Sequence, residues 1–144
     1  MATSNAATNY LERRLLHYIF KNNSLSFSSP GDSIYVGLCT AVSAAETGSV
    51  TEASFSGYAR QQVAAASWTT IGADSTDTQT AKNTSAIEFP AKADSGNVII
   101  THVIIADASS SGNILFVGAL DASKTLAQND IFRINATNLS IELK

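Results

Sequence analysis

The chain has 144 residues, 44% of them hydrophobic and 15% charged, with a formal net charge of −3. A single domain of that length buries roughly two thirds of its unfolded surface, enough to fold without staples. Three things are excluded from the outset: a nucleic-acid partner, for want of a basic field; an internal disulfide, because Cys39 is the lone cysteine; and a membrane helix, because no run approaches roughly 18 apolar residues. The charged share is well below the roughly 25% of an average domain. Its place is taken by 19 Ser and 14 Thr, so the surface is expected to be hydroxyl-rich and weakly charged. Met1 is followed by Ala2-Thr3-Ser4-Asn5, with neither a basic n-region nor an apolar h-region, which points to a protein made in the cytoplasm of its producer.

Residues 1–8 form a small, polar tail that would be disordered alone and ordered only by a neighbouring chain. Residues 9–22 read as a helix. Asn9 with Glu12 resembles a capping box, Lys21 suits the C-terminal dipole, and Asn22 and Asn23 offer a left-handed stop. At about 100° per residue, Tyr18, Leu11, Leu15, Ile19, Leu16 and Phe20 cover an arc of roughly 200°. Arg14, Lys21, His17 and Arg13 fill the other side. A helix on one sheet needs an apolar stripe of only about 100°, so the excess predicts two contacts: the chain's own sheet and another protein. The rival reading is a helix sunk deeply into its own domain.

Residues 33–144 read as one β domain. Ile34 to Thr40 is a β-branched run after Pro30-Gly31. Ser56 to Trp68 predicts one long strand or two, and Ala86 to Phe89 a short one stopped by Pro90. Asn97 to Ala106 has the Val/Ile content of a central strand. The turn signal Ser110-Ser111-Gly112-Asn113 makes it a hairpin with Ile114 to Leu120. Ser123 to Leu126, Ile131 to Ile134 and Leu139 to Leu143 are three more short strands. The Ser/Thr/Ala-rich stretches 41–54 and 69–84 read as long loops. About eight short strands with turn signals between them predict an antiparallel β-sandwich or jelly-roll-like fold behind one N-terminal helix.

Few residues suggest chemistry. Cys39 lies in a strand and reads as a small buried hydrophobe rather than a nucleophile, which needs an electropositive setting. His17 and His102 are too far apart in sequence to suggest a metal site. Asp74, Asp77 and Asp94 lack the ligand density of a calcium loop. No Gly-x-Ser-x-Gly elbow and no phosphate-cradling glycine loop occurs. The carboxylates fall mainly in loops, away from the aromatics, which argues against a cell-wall-degrading enzyme. Asn22, Asn83, Asn135 and Asn138 fit the glycosylation pattern, as chance allows in a chain so rich in Asn, Ser and Thr. No enzyme, cofactor or metal is expected. Arg60, after Tyr58 in an apolar-flanked strand, reads either as an inter-subunit salt bridge or ligand contact, or as an edge residue whose stem covers Tyr58. Trp68, next to the second long loop, reads as a core anchor or as a stacking platform for a sugar.

Six segments occur in an order that resembles one family. They are Thr8 to Phe20 (TNYLERRLLHYIF), Ile34 to Ala41 (IYVGLCTA), Gly57 to Val63 (GYARQQV), Asn83 to Ala93 (NTSAIEFPAKA), Ile104 to Leu120 (IIADASSSGNILFVGAL) and Ser123 to Asp130 (SKTLAQND). Together they resemble the small tail-fibre-like structural proteins of tailed bacteriophages. Asn129-Asp130 departs from the commoner Gly-Asp, and Asn97 interrupts a Val/Ile run.

The resemblance implies a non-enzymatic virion component, on the tail or as a decoration or cement protein of the head. Its expected partners are further copies of itself, favouring a trimer, and other virion proteins. Tyr10, Leu11, Leu15, Leu16, Ile19, Phe20 and Arg60 are the candidate assembly residues. The alternative is a module binding a host surface glycan through loops 41–54 and 69–84, with Trp68 as the ligand contact.

Overall fold

The computed structural model describes residues 6–21, 34–69 and 79–143. The Val/Ile-rich segments pair with one another, because they lose most by staying in water and satisfy their backbone groups only in a ladder. Strands β2 (Tyr35–Ala44), β7 (Val98–Ala106) and β8 (Ile114–Leu126) form the centre of a six-stranded antiparallel sheet. Its order is β1-β8-β7-β2-β3, with β1 (Ala6–Ala7) at one end and β3 (Ser49–Glu52) at the other; β4 (Gln61–Gln62) pairs with β2 beside β3. Two ribbons, β5 (Gln79–Lys82) with β10 (Ser140–Leu143) and β6 (Ile87–Glu88) with β9 (Arg133–Ile134), complete a roughly sandwich-like, mainly β architecture. The helix α1 (Asn9–Lys21) stands at the β8 side.

The main core lies on one face of the sheet. Val36, Leu38, Ile100, Val103 and Leu126 pack against Ile87, Phe89, Phe132, Ile134 and Leu139. A smaller cluster of Cys39, Ala45, Ile104 and Val117 occupies the other face. Asn83 is fully buried and staples the ribbons. Its side-chain amide donates to the carbonyls of Ser85 (2.8 Å) and Asn135 (2.9 Å), and its Oδ1 accepts from the Leu139 N–H at 2.9 Å. The glycosylation pattern at Asn83 therefore belongs to a packed core residue.

Several strand expectations are corrected. The stretch 41–54 is mostly hairpin: β2 runs on to Ala44, turns through Ala45–Gly48 and returns as β3. The expected pair of strands at 114–120 and 123–126 is the single strand β8. Ser56 to Trp68 supplies only β4 and one 3-10 turn, Ala65–Ser67. The ribbon strand β5 falls inside the stretch read as a second loop, of which residues 70–78, with Asp74 and Asp77, lie outside the described residues. So do Asn22 and Asn23, the expected helix stop. The hairpin turn after β7 is as expected: Asp107 accepts from the Asn113 backbone N–H at 2.7 Å and from its Nδ2 at 2.8 Å.

One polar network closes the open side of β2. β4 covers Tyr35 and Val36, and the pairing of β2 with β3 starts only at Cys39, opposite Glu52, so the Leu38 N–H faces a gap between them. The Tyr58 hydroxyl fills it, accepting from the Leu38 N–H (2.9 Å) while donating to Glu52 Oε1 (2.6 Å). Arg60 grips the same carboxylate through Nε and Nη2, each at 2.8 Å. Its Nη1 donates to the carbonyls of Ala108 and Ser111, each at 2.8 Å, in the β7–β8 turn. A Cβ at residue 37 would stand 2.9 Å from both Ile104 Cγ1 and the Tyr58 hydroxyl, which is why Gly37 sits there. Burial pushes the Glu52 pKa up, but hydrogen bonds from Arg60 and Tyr58 outweigh it and hold the carboxyl below its ordinary range.

Tyr58→Phe leaves the buried Leu38 N–H without this acceptor and is expected to cost about 1–3 kcal/mol in urea unfolding. Because the Glu52 pKa is depressed in the folded state, its stabilisation is present above the unfolded value of about 4.3 and is lost as pH falls through the folded value. Unfolding midpoints taken between neutral and acid pH should fall on that limb, and the fall should be shallower in Glu52→Gln. Burial, then the nearby Glu52 charge, push the Cys39 thiol up to about 12. The native protein is therefore expected to resist a thiol reagent at pH 8, and the urea-unfolded chain to react with it.

Candidate assembly surface

The helix is held at its first turn. Thr8 is buried and caps it: Oγ1 accepts from the Leu11 N–H at 3.4 Å. The same hydroxyl donates to the Ile114 carbonyl at 2.6 Å, and the Thr8 N–H donates to Leu115 O at 2.9 Å. The Asn9 N–H donates to Glu46 O in the β2–β3 turn at 2.6 Å. The expected cap at Asn9 thus shifts by one residue, because Thr8 alone serves both the helix and β8. The tail assignment shifts too: Ala6 and Ala7 form β1 on this chain's own sheet, opposite Val117 and Phe116.

Beyond that anchor α1 rests on its mixed side. Tyr10, Leu11, Arg14 and His17 are half-buried, and no residue of the helix is fully buried. The Arg14 guanidinium lies 5.3 Å from the centre of the Tyr10 ring, close enough for a cation–π contact. The apolar arc points the other way. Leu15 is 45% exposed, Leu16 and Tyr18 55%, Ile19 58% and Phe20 73%. At about 100° per residue these five span roughly 200°, twice the stripe that one contact needs. The sequence pattern located the arc; it placed the chain's own sheet on the wrong side of it. The deeply sunk helix is not what the chain builds.

The other candidate residues do not join this surface's chemistry. The Arg60 side chain is 6% exposed, and its Nε, Nη1 and Nη2 all bond within the chain. The edge-residue reading also gives way, since the guanidinium is buried in an ion pair. Trp68 is half-buried and packs against the main core, with a single bridge to Asn83. His102 Nδ1 lies 2.8 Å from Thr101 Oγ1, and burial lowers its pKa. Among the described residues no group of three His, Cys, Asp or Glu could hold a metal, and no helix is long and apolar enough to cross a membrane.

Sequence reasoning missed Thr8 and Glu52. Thr8 had a usable signal, a capping residue just before the helical period. Glu52 had none, because its partners at 58 and 60 are fixed by the turn of the chain between β3 and β4.

No curated protein matches the chain. The family described as "Podophage GP4 fiber I protein gp80" matches residues 6–142, a span that runs from β1 into β10 and includes the helix and its anchor. The chain belongs to that phage fibre family, and so to the structural components of a virion.

Proposed function

We propose that the protein is a self-assembling, non-enzymatic fibre component whose copies join through α1, three about one axis. The observation that carries this reading is the outward apolar arc. A soluble subunit does not keep Leu15, Leu16, Ile19 and Phe20 together in water without a use for them. These four are about half to three quarters exposed in the subunit, so covering what remains stabilises by roughly 3–7 kcal/mol per copy. That is of the same order as the roughly 4–15 kcal/mol cost of association.

The width of the arc selects the arrangement. One partner helix would cover about 100° and leave the rest wet. Two neighbours, one on each flank, cover the whole of it, and a closed ring in which every helix touches two others supplies them. Tyr10 and Leu11 sit at the seam between the helix and its own domain, so their part is to fix the tilt of α1. Other virion proteins would then meet the assembled trimer rather than the single chain.

Light scattering on a size-exclusion column tests this. The unmodified chain is expected at three times its 15.1 kDa mass. A double variant, Ile19→Glu with Phe20→Ser, should run as a monomer with an unchanged circular dichroism spectrum, because both side chains are exposed in the lone subunit. A monomeric unmodified chain at high concentration would overturn the proposal and leave the arc to a different virion protein.

A further inference from the structure

A carboxylate stands near the middle of the apolar arc. At about 100° per residue, Ile19 marks roughly the centre of the span from Tyr18 to Phe20, and Glu12, seven residues earlier, lies about 20° from it. Glu12 is exposed in the subunit, and so are Leu15 and Leu16, one turn further on the same face. The Glu12 N–H donates to the Thr8 carbonyl at 3.1 Å. Glu12 therefore belongs to the turn that Thr8 fixes on β8, and that turn does not fray to carry it aside. In the lone subunit a carboxylate in the first turn suits the helix dipole.

We propose that Glu12 regulates the joining of copies: its three carboxylates meet on the axis and oppose closure of the ring until protons are taken up. This rests on the three-fold assembly through α1 proposed above. Glu12 and Ile19 are one seven-residue repeat apart, the spacing that keeps a seam facing its partners, so a ring that turns Ile19 to the axis turns Glu12 there too. With helix axes about 8–10 Å apart, the carboxylates come within the roughly 4–6 Å over which like charges oppose each other's ionisation. A single polar residue in such a seam fixes register and strand number at a cost in stability.

No cation of the helix shares the arc. Arg13 lies about 100° round the helix from Glu12, beyond Phe20, and Arg14, His17 and Lys21 lie on the other side. Of the elements packed on α1, β8 carries Asp121 and Lys124, and the β2–β3 turn carries Glu46. These belong to the domain on which the helix rests, whereas Glu12 is exposed on it. Across the ring each Glu12 meets two more of its kind with leucines beside them. Because the assembled state binds more protons than the separate subunits, assembly tightens as pH falls toward the carboxylate range.

Sedimentation equilibrium on the full chain tests this at about pH 7.5 and about pH 5, for the unmodified protein, Glu12→Gln and Glu12→Leu. Glu52, held below its ordinary range, stays ionised across this window, and His17 and His102 are common to all three proteins. The unmodified trimer is expected to tighten about tenfold from the higher pH to the lower, the effect of one proton bound about one pH unit more readily. At the higher pH Glu12→Gln should associate about tenfold more tightly than the unmodified chain and lose most of the pH response; Glu12→Leu should be tighter still. A trimer whose strength is unchanged or reduced in Glu12→Gln, or whose pH response survives that substitution, would overturn this proposal and leave the three-fold assembly standing. Monomers at both pH values in all three proteins would remove the assembly itself, and this proposal with it.

Discussion

The placement of the helix depends on one buried hydroxyl. Thr8 caps α1, donates to β8 and takes its own place in the β1–β8 ladder, so the direction in which the helix leaves the sheet is set before its apolar residues begin. A helix of 13 residues is marginal in water and borrows its stability from what it packs on. Here the packing side is the one carrying Tyr10, Arg14 and His17. The greasy side, Leu15, Leu16, Tyr18, Ile19 and Phe20, faces away from the sheet and stands exposed on the subunit.

The β domain ties the sheet that carries the helix together from edge to edge. β7 and β8 form a long hairpin at the middle of the sheet, and its turn is tied back to the far edge by Arg60. That edge is itself irregular: β2 breaks register with β3 at two points, between Cys39 and Ala41 and between Val42 and Ala44. Bulges of that kind discourage a stray strand from adding there. The Gly-Tyr-Ala-Arg segment that marks the family resemblance is the part of the chain that makes these ties.

Much of this was legible in the residues, and the rest was hidden for physical reasons. The β7–β8 hairpin announces itself through a Val/Ile run and a Ser-Ser-Gly-Asn turn, because central strands and tight turns each demand particular residue types. The helix is legible by its period. Its orientation is not, since an amphipathic pattern reports two faces and leaves open which of them the subunit claims. The strands β3 and β5 escaped because Ser49–Glu52 and Gln79–Lys82 are largely polar segments: β3 is held by β2 across a tight turn that looked like loop, and β5 by β10, far away in sequence. Arg60 showed that it needed a counter-charge, and only the fold could name Glu52 and the carbonyls of a turn some fifty residues on.

Spin labels on α1 probe its outward face most directly. A label at Ile19→Cys, in chains with Cys39→Ala, reports the separation between helices of neighbouring copies by pulsed electron resonance. The account predicts one short, sharply distributed distance with the coupling depth of three spins. Labels that show no coupling to one another at high protein concentration would contradict it.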